Sequence, residues 1–135
     1  MAESRLLPGA KSHVGAVGIM QIMPKTFKEI RRRNKSVRGS SMQPKWNISA
    51  GVYYDRQIWN LFKAKRPLQD RIDFMFASYN AGKGNIIKAQ KIAQEKGLNE
   101  NLWSSIEETL PKITHRHSQE TIEYVKKIKT IMEKL

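Results

Sequence analysis

Apolar side chains recur every three or four residues along most of the chain, which is the spacing of one face of an α-helix. The first such run predicts a helix from Pro24 to residue 33, with Phe27 and Ile30 facing inward. Proline suits the first helical position, because the N–H that it lacks would have no partner there. Residues 34–46 are polar and contain glycine, serine and proline, so they predict a loop.

A second helix is predicted to begin at Asn47, whose side-chain oxygen can accept one of the unpaired N–H groups of a first helical turn. Pro67 interrupts the chain and marks the end of this region. The predicted inward face of the second helix consists of Ile48, Val52, Trp59 and Phe62.

The remainder of the chain predicts further helices. Residues 68–79 are apolar almost all round, which predicts a helix at the centre of the fold. The other predicted elements are a turn over 80–84, a helix over 85–96 capped by Gly97, and a short helix over 101–109 closed by Pro111. A last helix is predicted from Ser118, with Ile122, Val125, Ile128 or Lys129, and Met132 at helical spacing. No strand alternation of useful length and no repeat is present, so we expect an all-α fold in one domain, residues 1–135.

Composition limits the chemistry that the chain can carry. With 135 residues, 39% of them hydrophobic, it suits one compact domain. The absence of cysteine excludes disulfides and thiolate zinc sites, and the three histidines lack the spacing of metal ligands. We therefore expect no metal and no cofactor. No apolar run is long enough to cross a bilayer, and the sequence shows no secretory signal.

Charge indicates what kind of partner the chain could bind, because the formal net charge is +13. Residues 24–46 contain eight lysines and arginines and one acid, Glu29, which gives 8 − 1 = +7 in this stretch. Such a surface is either a solvated helix face or a binding surface for an acidic wall polymer or an anionic membrane. A nucleic-acid-binding domain is a further reading, but no aromatic residues interleave with these cations in a known recognition pattern.

Three segments combine glycines, amides and acids in a way that packing alone does not explain: residues 2–4, 11–24 and 77–82. A fourth segment, 119–125, places Glu120 and Tyr124 near the start of the last predicted helix. Each has a structural explanation when taken alone, such as a core tyrosine or an acid that interacts with the helix dipole. Their occurrence together, in this order, requires another explanation.

Together with residues 47–51, these segments resemble the catalytic domain of soluble-type lytic transglycosylases. The family pattern is Glu-Ser, a loop ending in Met-Gln-x-Met-Pro, Asn-x-x-x-Gly, Tyr-Asn-Ala-Gly and Glu-Thr-x-x-Tyr-Val, and the resemblance covers residues 2–130. It implies a lysozyme-like all-α fold. Only Met1 and Ala2 precede the first motif, so we expect the helix that comes first in the family to be missing.

The resemblance implies that Glu3 is the catalytic acid/base. Residues implied to contact the glycan are Ser12, Met20, Gln21, Tyr79, Asn80, Glu120 and Tyr124. Gly15 and Gly18 would allow a close backbone approach that a Cβ would obstruct. The reaction needs Glu3 protonated near neutral pH, so burial must raise its pKa above the ordinary value of about 4.3, with Met20, Met23 and Tyr79 as the expected apolar neighbours.

The implied reaction cleaves the β-1,4 bond between N-acetylmuramic acid and N-acetylglucosamine in peptidoglycan and leaves 1,6-anhydromuramic acid ends. The implied partner is the glycan strand, the implied location is the periplasm or cell envelope, and we expect a monomer. Two alternatives remain open: a goose-type lysozyme that uses water on the same fold, and a non-catalytic peptidoglycan-binding or scaffold domain.

Overall fold

The computed structural model describes residues 4–135, and within this range the secondary structure is helical. The helices are α1 (Pro24–Arg33), α2 (Pro44–Leu61), α3 (Leu68–Ala81), α4 (Lys83–Glu95), α5 (Trp103–Thr109), α6 (Pro111–Thr114) and α7 (His117–Glu133). Only isolated antiparallel bridges, Lys11 to Val17 and Val17 to Ile22, accompany them in the described residues. The predicted all-α class is confirmed. None of these helices has both the length and the apolar surface that crossing a membrane requires.

The chain divides into two compact units, and the boundary falls inside α2 between Arg56 and Gln57. In the first unit, α1 forms as predicted. Pro24 occupies its first turn, Phe27 and Ile30 are buried, and the N–H of Asn34 bonds the carbonyl of Ile30 at 2.7 Å to close it. The three arginines in its last turn interact favourably with the helix dipole.

Helix α2 begins three residues earlier than predicted, at Pro44, so the loop is shorter and Asn47 is not its cap. Proline at the first helical position was the signal for this start. The predicted inward face is also wrong at Val52, which is 58% exposed. The buried positions are instead Asn47, Ala50, Gly51 and Ile58, which repeat at helical spacing on the adjacent face of α2.

In the second unit, α3 packs against α4, α5 and α7, which confirms its predicted central position there. The Phe74 side chain is fully buried, and its ring meets the edges of Phe62 and Trp103 at centroid distances of 5.1 and 6.2 Å. Such edge-to-face pairs add to the stabilisation that burial of the rings provides.

Two predicted boundaries in this unit are wrong for a local reason. Helix α3 continues to Ala81, and only Gly82, with φ of +90°, separates it from α4, so no five-residue turn forms. Pro111 begins α6 rather than closing α5. The predicted cap at Gly97 is confirmed, because its N–H bonds the carbonyl of Gln94 and the next N–H bonds that of Ala93.

We expect Asp73 on α3 to make the stability of the folded protein depend on pH. Burial raises the pKa of Asp73, and the hydrogen bond from Gln69 and the charge of Lys129 offset only part of that effect. A raised pKa in the folded state gives stability that is present at low pH and lost as the pH rises through that pKa. Asp73→Asn keeps the acceptor for Gln69 and cannot ionise. We expect its Tm to exceed that of the wild type by a few degrees at pH 7, with the gain disappearing below pH of about 4. Thermal unfolding at both pH values checks this, and an equal gain at low pH would contradict it.

Candidate active site

A short hairpin loop, residues 17–22, precedes α1 in the first unit. Val17 and Ile22 exchange both backbone hydrogen bonds at 3.0 Å, and the N–H of Gln21 bonds the carbonyl of Gly18 at 3.1 Å to close the turn. Gly18 and Gln21 both have positive φ, +80° and +48°. Glycine adopts this region freely, whereas a glutamine there is held by its surroundings.

Asn47 is the residue that holds the hairpin loop. Its side chain is fully buried, its Oδ1 accepts the N–H of Met20 at 2.7 Å, and its Nδ2 donates to the carbonyls of Val17 and Ser41 at 2.9 Å each. Both of those partners are acceptors, so the orientation of the amide is fixed. One α2 side chain therefore forms hydrogen bonds with three backbone groups of the loops beside it.

The two glycines expected to permit close approach behave differently. At Gly18 a Cβ would collide with Asn47 Nδ2, a side-chain atom of this chain, while approach of a ligand to this glycine stays a prediction. At Gly15 the expectation also stays a prediction, and nothing among the described residues lies within 4 Å of the Cβ position. There the φ of +92° is the reason for glycine.

Gly18→Ala is expected to destabilise the fold by about 2 kcal/mol or more, because it combines an unfavourable φ with displacement of the Asn47 amide. Gly84→Ala is the matched control: Gly84 lies in α4 with open space at its Cβ position, so that change is expected to be neutral or slightly stabilising. Urea unfolding of both variants measures the difference. Equal stabilities of the two variants would contradict the role given to Gly18.

The predicted glycan contacts of the first unit cluster on or beside the hairpin loop. Ser12 is half-buried, and its Oγ accepts the N–H of Ala16 at 2.9 Å. Met20 is buried, and its side chain lies so close to Gly51 that a Cβ there would approach the Met20 Cε within 2.6 Å.

Gln21 uses both N–H groups of its amide within the protein. They donate to the carbonyls of Ala10 at 3.1 Å and Gly18 at 2.8 Å, which fixes the orientation of the amide. Among residues 4–135, no N–H or O–H group donates to its Oε1. A ligand that contacts this side chain would therefore meet an acceptor.

Ser4 was not singled out from the sequence as a functional residue, but the structure gives it a defined role. Its side chain is buried, and its Oγ donates to the carbonyl of Ile19 at 2.7 Å. The residue that directly follows Glu3 is thus attached to the hairpin loop. Its position beside the glutamate in the family motif was the available signal.

Glu3 itself lies outside the described residues, so its role and its pKa stay predictions. Of the residues expected to shield its carboxyl group, Met20 is buried, Tyr79 is half-buried and Met23 is 41% exposed. Met23 is therefore partly exposed to water, and its expected contact with the Glu3 carboxyl group stays a prediction.

In the second unit, Asn80 and Glu120 line a cleft of about 460 Å³ where α3 ends and α7 begins. Its lining consists of Asn80, Ala81, Asn85, Ile113, Thr114, His115, His117, Glu120 and Thr121. The Oγ1 of Thr121, a buried residue, donates to the Oδ1 of Asn80 at 2.8 Å. This bond directs the amide so that its Nδ2 remains as a donor for the cleft.

The two predicted tyrosines are half-buried and do not belong to the lining of that cleft. Tyr79 lies in the last turns of α3, one residue before Asn80. Tyr124 lies on α7, and its ring meets the edge of Phe76 at a centroid distance of 6.5 Å. The structure thus brings Asn80 and Glu120 to one cleft and places Tyr124 in an aromatic contact between α3 and α7.

Comparison with known proteins places this site in a family context. Residues 1–102 match the family model of the Transglycosylase SLT domain, a region that contains Glu3, the hairpin loop and the Tyr79–Asn80 pair. Glu120 and Tyr124 lie beyond the matched residues.

Similar proteins include a "Membrane-bound lytic murein transglycosylase F" of Desulfosudis oleivorans, 31% identical over 95% of this chain and 29% of that protein. A protein of the same name from Shewanella sediminis is 32% identical over 90% of this chain and 24% of that protein. The chain thus spans less than a third of the length of these relatives. The match of residues 1–102 and the all-α structure agree with the predicted lysozyme-like fold, and the chain belongs to the Transglycosylase SLT domain family.

Proposed function

We propose that this chain is a peptidoglycan lytic transglycosylase that cleaves the β-1,4 bond between N-acetylmuramic acid and N-acetylglucosamine and leaves a 1,6-anhydro end. The observation that carries the proposal is membership of the Transglycosylase SLT domain family over residues that include Glu3. Relatives at about 30% identity are named as murein transglycosylases, which supports peptidoglycan as the substrate. Residues 1–135 would act together as one catalytic domain.

In the proposed reaction, one carboxyl group serves both steps. Glu3 donates its proton to the oxygen that leaves with N-acetylglucosamine, while the 2-acetamido oxygen of the muramic acid bonds to the anomeric carbon. The Glu3 carboxylate then takes the proton of the C6 hydroxyl, and O6 displaces the acetamido oxygen. Since the neighbouring acetamido group replaces the second carboxylate that most glycosidases need, one glutamate suffices. No water is consumed.

The proposed glycan contacts use the atoms that the fold leaves available. Gln21 would accept a sugar N–H or O–H through Oε1, because its own N–H groups are bonded to the backbone. Asn80 would donate through Nδ2, because Thr121 occupies its Oδ1. The remaining proposed contacts are Ser12, Met20, Tyr79, Glu120 and Tyr124.

Thr121 is expected to act as a positioning residue for Asn80. Thr121→Val keeps the buried shape and removes the 2.8 Å hydrogen bond, so kcat/KM on peptidoglycan should fall about three- to tenfold, the worth of one hydrogen bond. Thr130→Val is the control, since Thr130 is exposed on the same helix and bonds only the carbonyl of Lys126. Indistinguishable kinetics of the two variants would contradict this role.

Mass spectrometry of soluble fragments from purified sacculi tests the proposed function. Anhydro ends, one water lighter than reducing ends, are the expected products. Reducing ends would show a lysozyme-type hydrolase on the same fold. Binding to sacculi without any released fragment would show a non-catalytic binding domain.

We further propose that the chain works in the periplasm or cell envelope, because its relatives are named as membrane-bound enzymes of murein. It would act as a monomer on glycan strands. Size-exclusion chromatography with light scattering checks the oligomeric state.

A further inference from the structure

The positive charge of residues 24–46 is partly gathered into one concave surface. Helix α1 and the segment that follows it enclose a cleft of about 740 Å³ in the first unit, which we name the basic cleft. It is lined by Lys25, Lys28, Glu29, Arg31, Arg32, Lys35, Val37 and Arg38. Six of these side chains are cations and one is a carboxylate. A surface of this composition attracts anions strongly.

The single carboxylate of the basic cleft does not neutralise these six cations. Glu29 forms its ion pair with Arg33, at 2.9 Å, and Arg33 does not line the cleft. Among residues 4–135, no carboxylate lies within ion-pair distance of any of the six lining cations. A helix face that contacts only water needs no cluster of cations without carboxylate partners, whereas a site for an anionic partner does.

The shape of the cleft indicates what kind of anion would fit. The chain turns back after α1, where the N–H of Val37 bonds the carbonyl of Asn34 at 3.1 Å, and Val37 is buried with 3% exposure. The walls are therefore long basic side chains around a buried valine, which suits a polymer that carries spaced negative charges. A membrane surface favours exposed apolar side chains that insert among lipids, and the lining offers none. Single-stranded nucleic acid favours aromatic rings for stacking, and the lining offers none of those either.

We propose that the basic cleft binds the carboxylate groups of the peptide stems that the glycan strand carries. This rests on the proposed function, because it assigns the cleft to the same polymer that the enzyme would cleave. Lysine and arginine have long, flexible side chains. Their charged ends can therefore reach carboxylates whose positions vary from one peptide stem to the next. Binding of this kind raises the local concentration of substrate and weakens as salt is added.

The test compares two variants of equal net charge. The cleft variant carries Lys28→Gln, Arg31→Gln, Arg32→Gln and Lys35→Gln. The control carries Lys88→Gln, Lys126→Gln, Lys127→Gln and Lys134→Gln, all exposed positions outside the basic cleft. Binding to purified sacculi is measured by sedimentation on ice at low salt. The cleft variant should bind about tenfold more weakly than the wild type, and the control within about twofold. Circular dichroism and thermal unfolding confirm that both variants fold.

A second arm uses soluble glycan strands, freed of cross-links by an endopeptidase, before and after an amidase removes their peptide stems. Binding to these strands is measured by fluorescence anisotropy, because strands without cross-links do not sediment. Stem removal should lower the affinity of the wild type to that of the cleft variant, and it should not lower the affinity of the cleft variant further. The reason is that removing the stems and removing the cleft cations eliminate the same contacts. The proposal is overturned if the cleft variant binds intact sacculi as tightly as the control, or if stem removal leaves wild-type binding unchanged.

The other possible partners are decided by the same pair of variants. Stronger wild-type binding to phosphatidylglycerol vesicles or to single-stranded DNA than to sacculi, lost in the cleft variant, would overturn the proposal in favour of that partner. Binding on ice is scored without turnover. Stem-dependent binding in a protein that releases no fragments would therefore refute the proposed function and leave the cleft assignment intact.

Discussion

Glu3→Gln is expected to lower the release of soluble fragments from peptidoglycan at least about a thousandfold, the upper part of the range that a general acid contributes. Glutamine has nearly the same shape as glutamate, but it can neither donate the proton that the leaving oxygen needs nor accept the proton of the C6 hydroxyl. Both steps of the proposed reaction use this one group, so the loss should be near complete. Affinity for sacculi should remain within about twofold, because the substitution changes few binding contacts.

Glu107→Gln is the control for this experiment, because Glu107 is exposed on α5 and lies outside the proposed site. It should turn over peptidoglycan like the wild type. Initial rates from labelled sacculi measure both variants. Substantial turnover by the Glu3→Gln protein would remove Glu3 from the mechanism.

Asn47→Ala is expected to have the largest effect on stability, about 3 kcal/mol, because it leaves the N–H of Met20 and the carbonyl of Ser41 without their partner and removes one of the two hydrogen bonds to the carbonyl of Val17. The Asn47 side chain that is lost is itself fully buried. That loss corresponds to a decrease of about 10 °C in Tm for a domain of this size. The hairpin loop would lose its attachment to α2, so activity should fall even at temperatures where the variant is folded.

Asn60→Ala provides the matched comparison, since Asn60 lies on the same helix and is exposed. Its stability should change by less than about 0.5 kcal/mol. Denaturant unfolding of the two variants measures the difference directly. Similar unfolding midpoints for both would show that the buried amide does not hold the loop.

The sequence predicted correctly those elements that are determined by residues close to one another in the chain. Helix α1 begins at a proline, and it buries Phe27 and Ile30, the two residues that the apolar spacing predicts to face inward. The cap at Gly97 depends on its own positive φ and on the carbonyls of the preceding turn. In both cases the residues that determine the structure are neighbours in the chain.

Long-range contacts explain what the sequence did not reveal. An asparagine that caps a helix and one that bonds distant backbone look alike locally, and the partners of Asn47 at Val17 and Met20 lie about thirty residues away. Apolar spacing predicts that Val52 faces inward. The inward face of α2 is instead the one that carries the buried amide of Asn47.

In the candidate site, too, the sequence predicted what depends on local motifs and did not predict what depends on long-range contacts. Family motifs identified Asn80 as a candidate, but the hydrogen bond that Thr121 donates to it joins residues 41 positions apart. The charge of residues 24–46 was visible in the sequence, whereas its concave arrangement depends on how the chain turns after α1. Composition therefore revealed the charge but not the cleft.

The central claim is that an internal hydroxyl, rather than water, completes the reaction that one carboxyl group starts. Digestion of purified sacculi in water labelled with heavy oxygen tests this most directly, with mass spectrometry of the new glycan ends. The account predicts ends that are one water lighter than reducing ends and carry no label. Labelled reducing ends would contradict it.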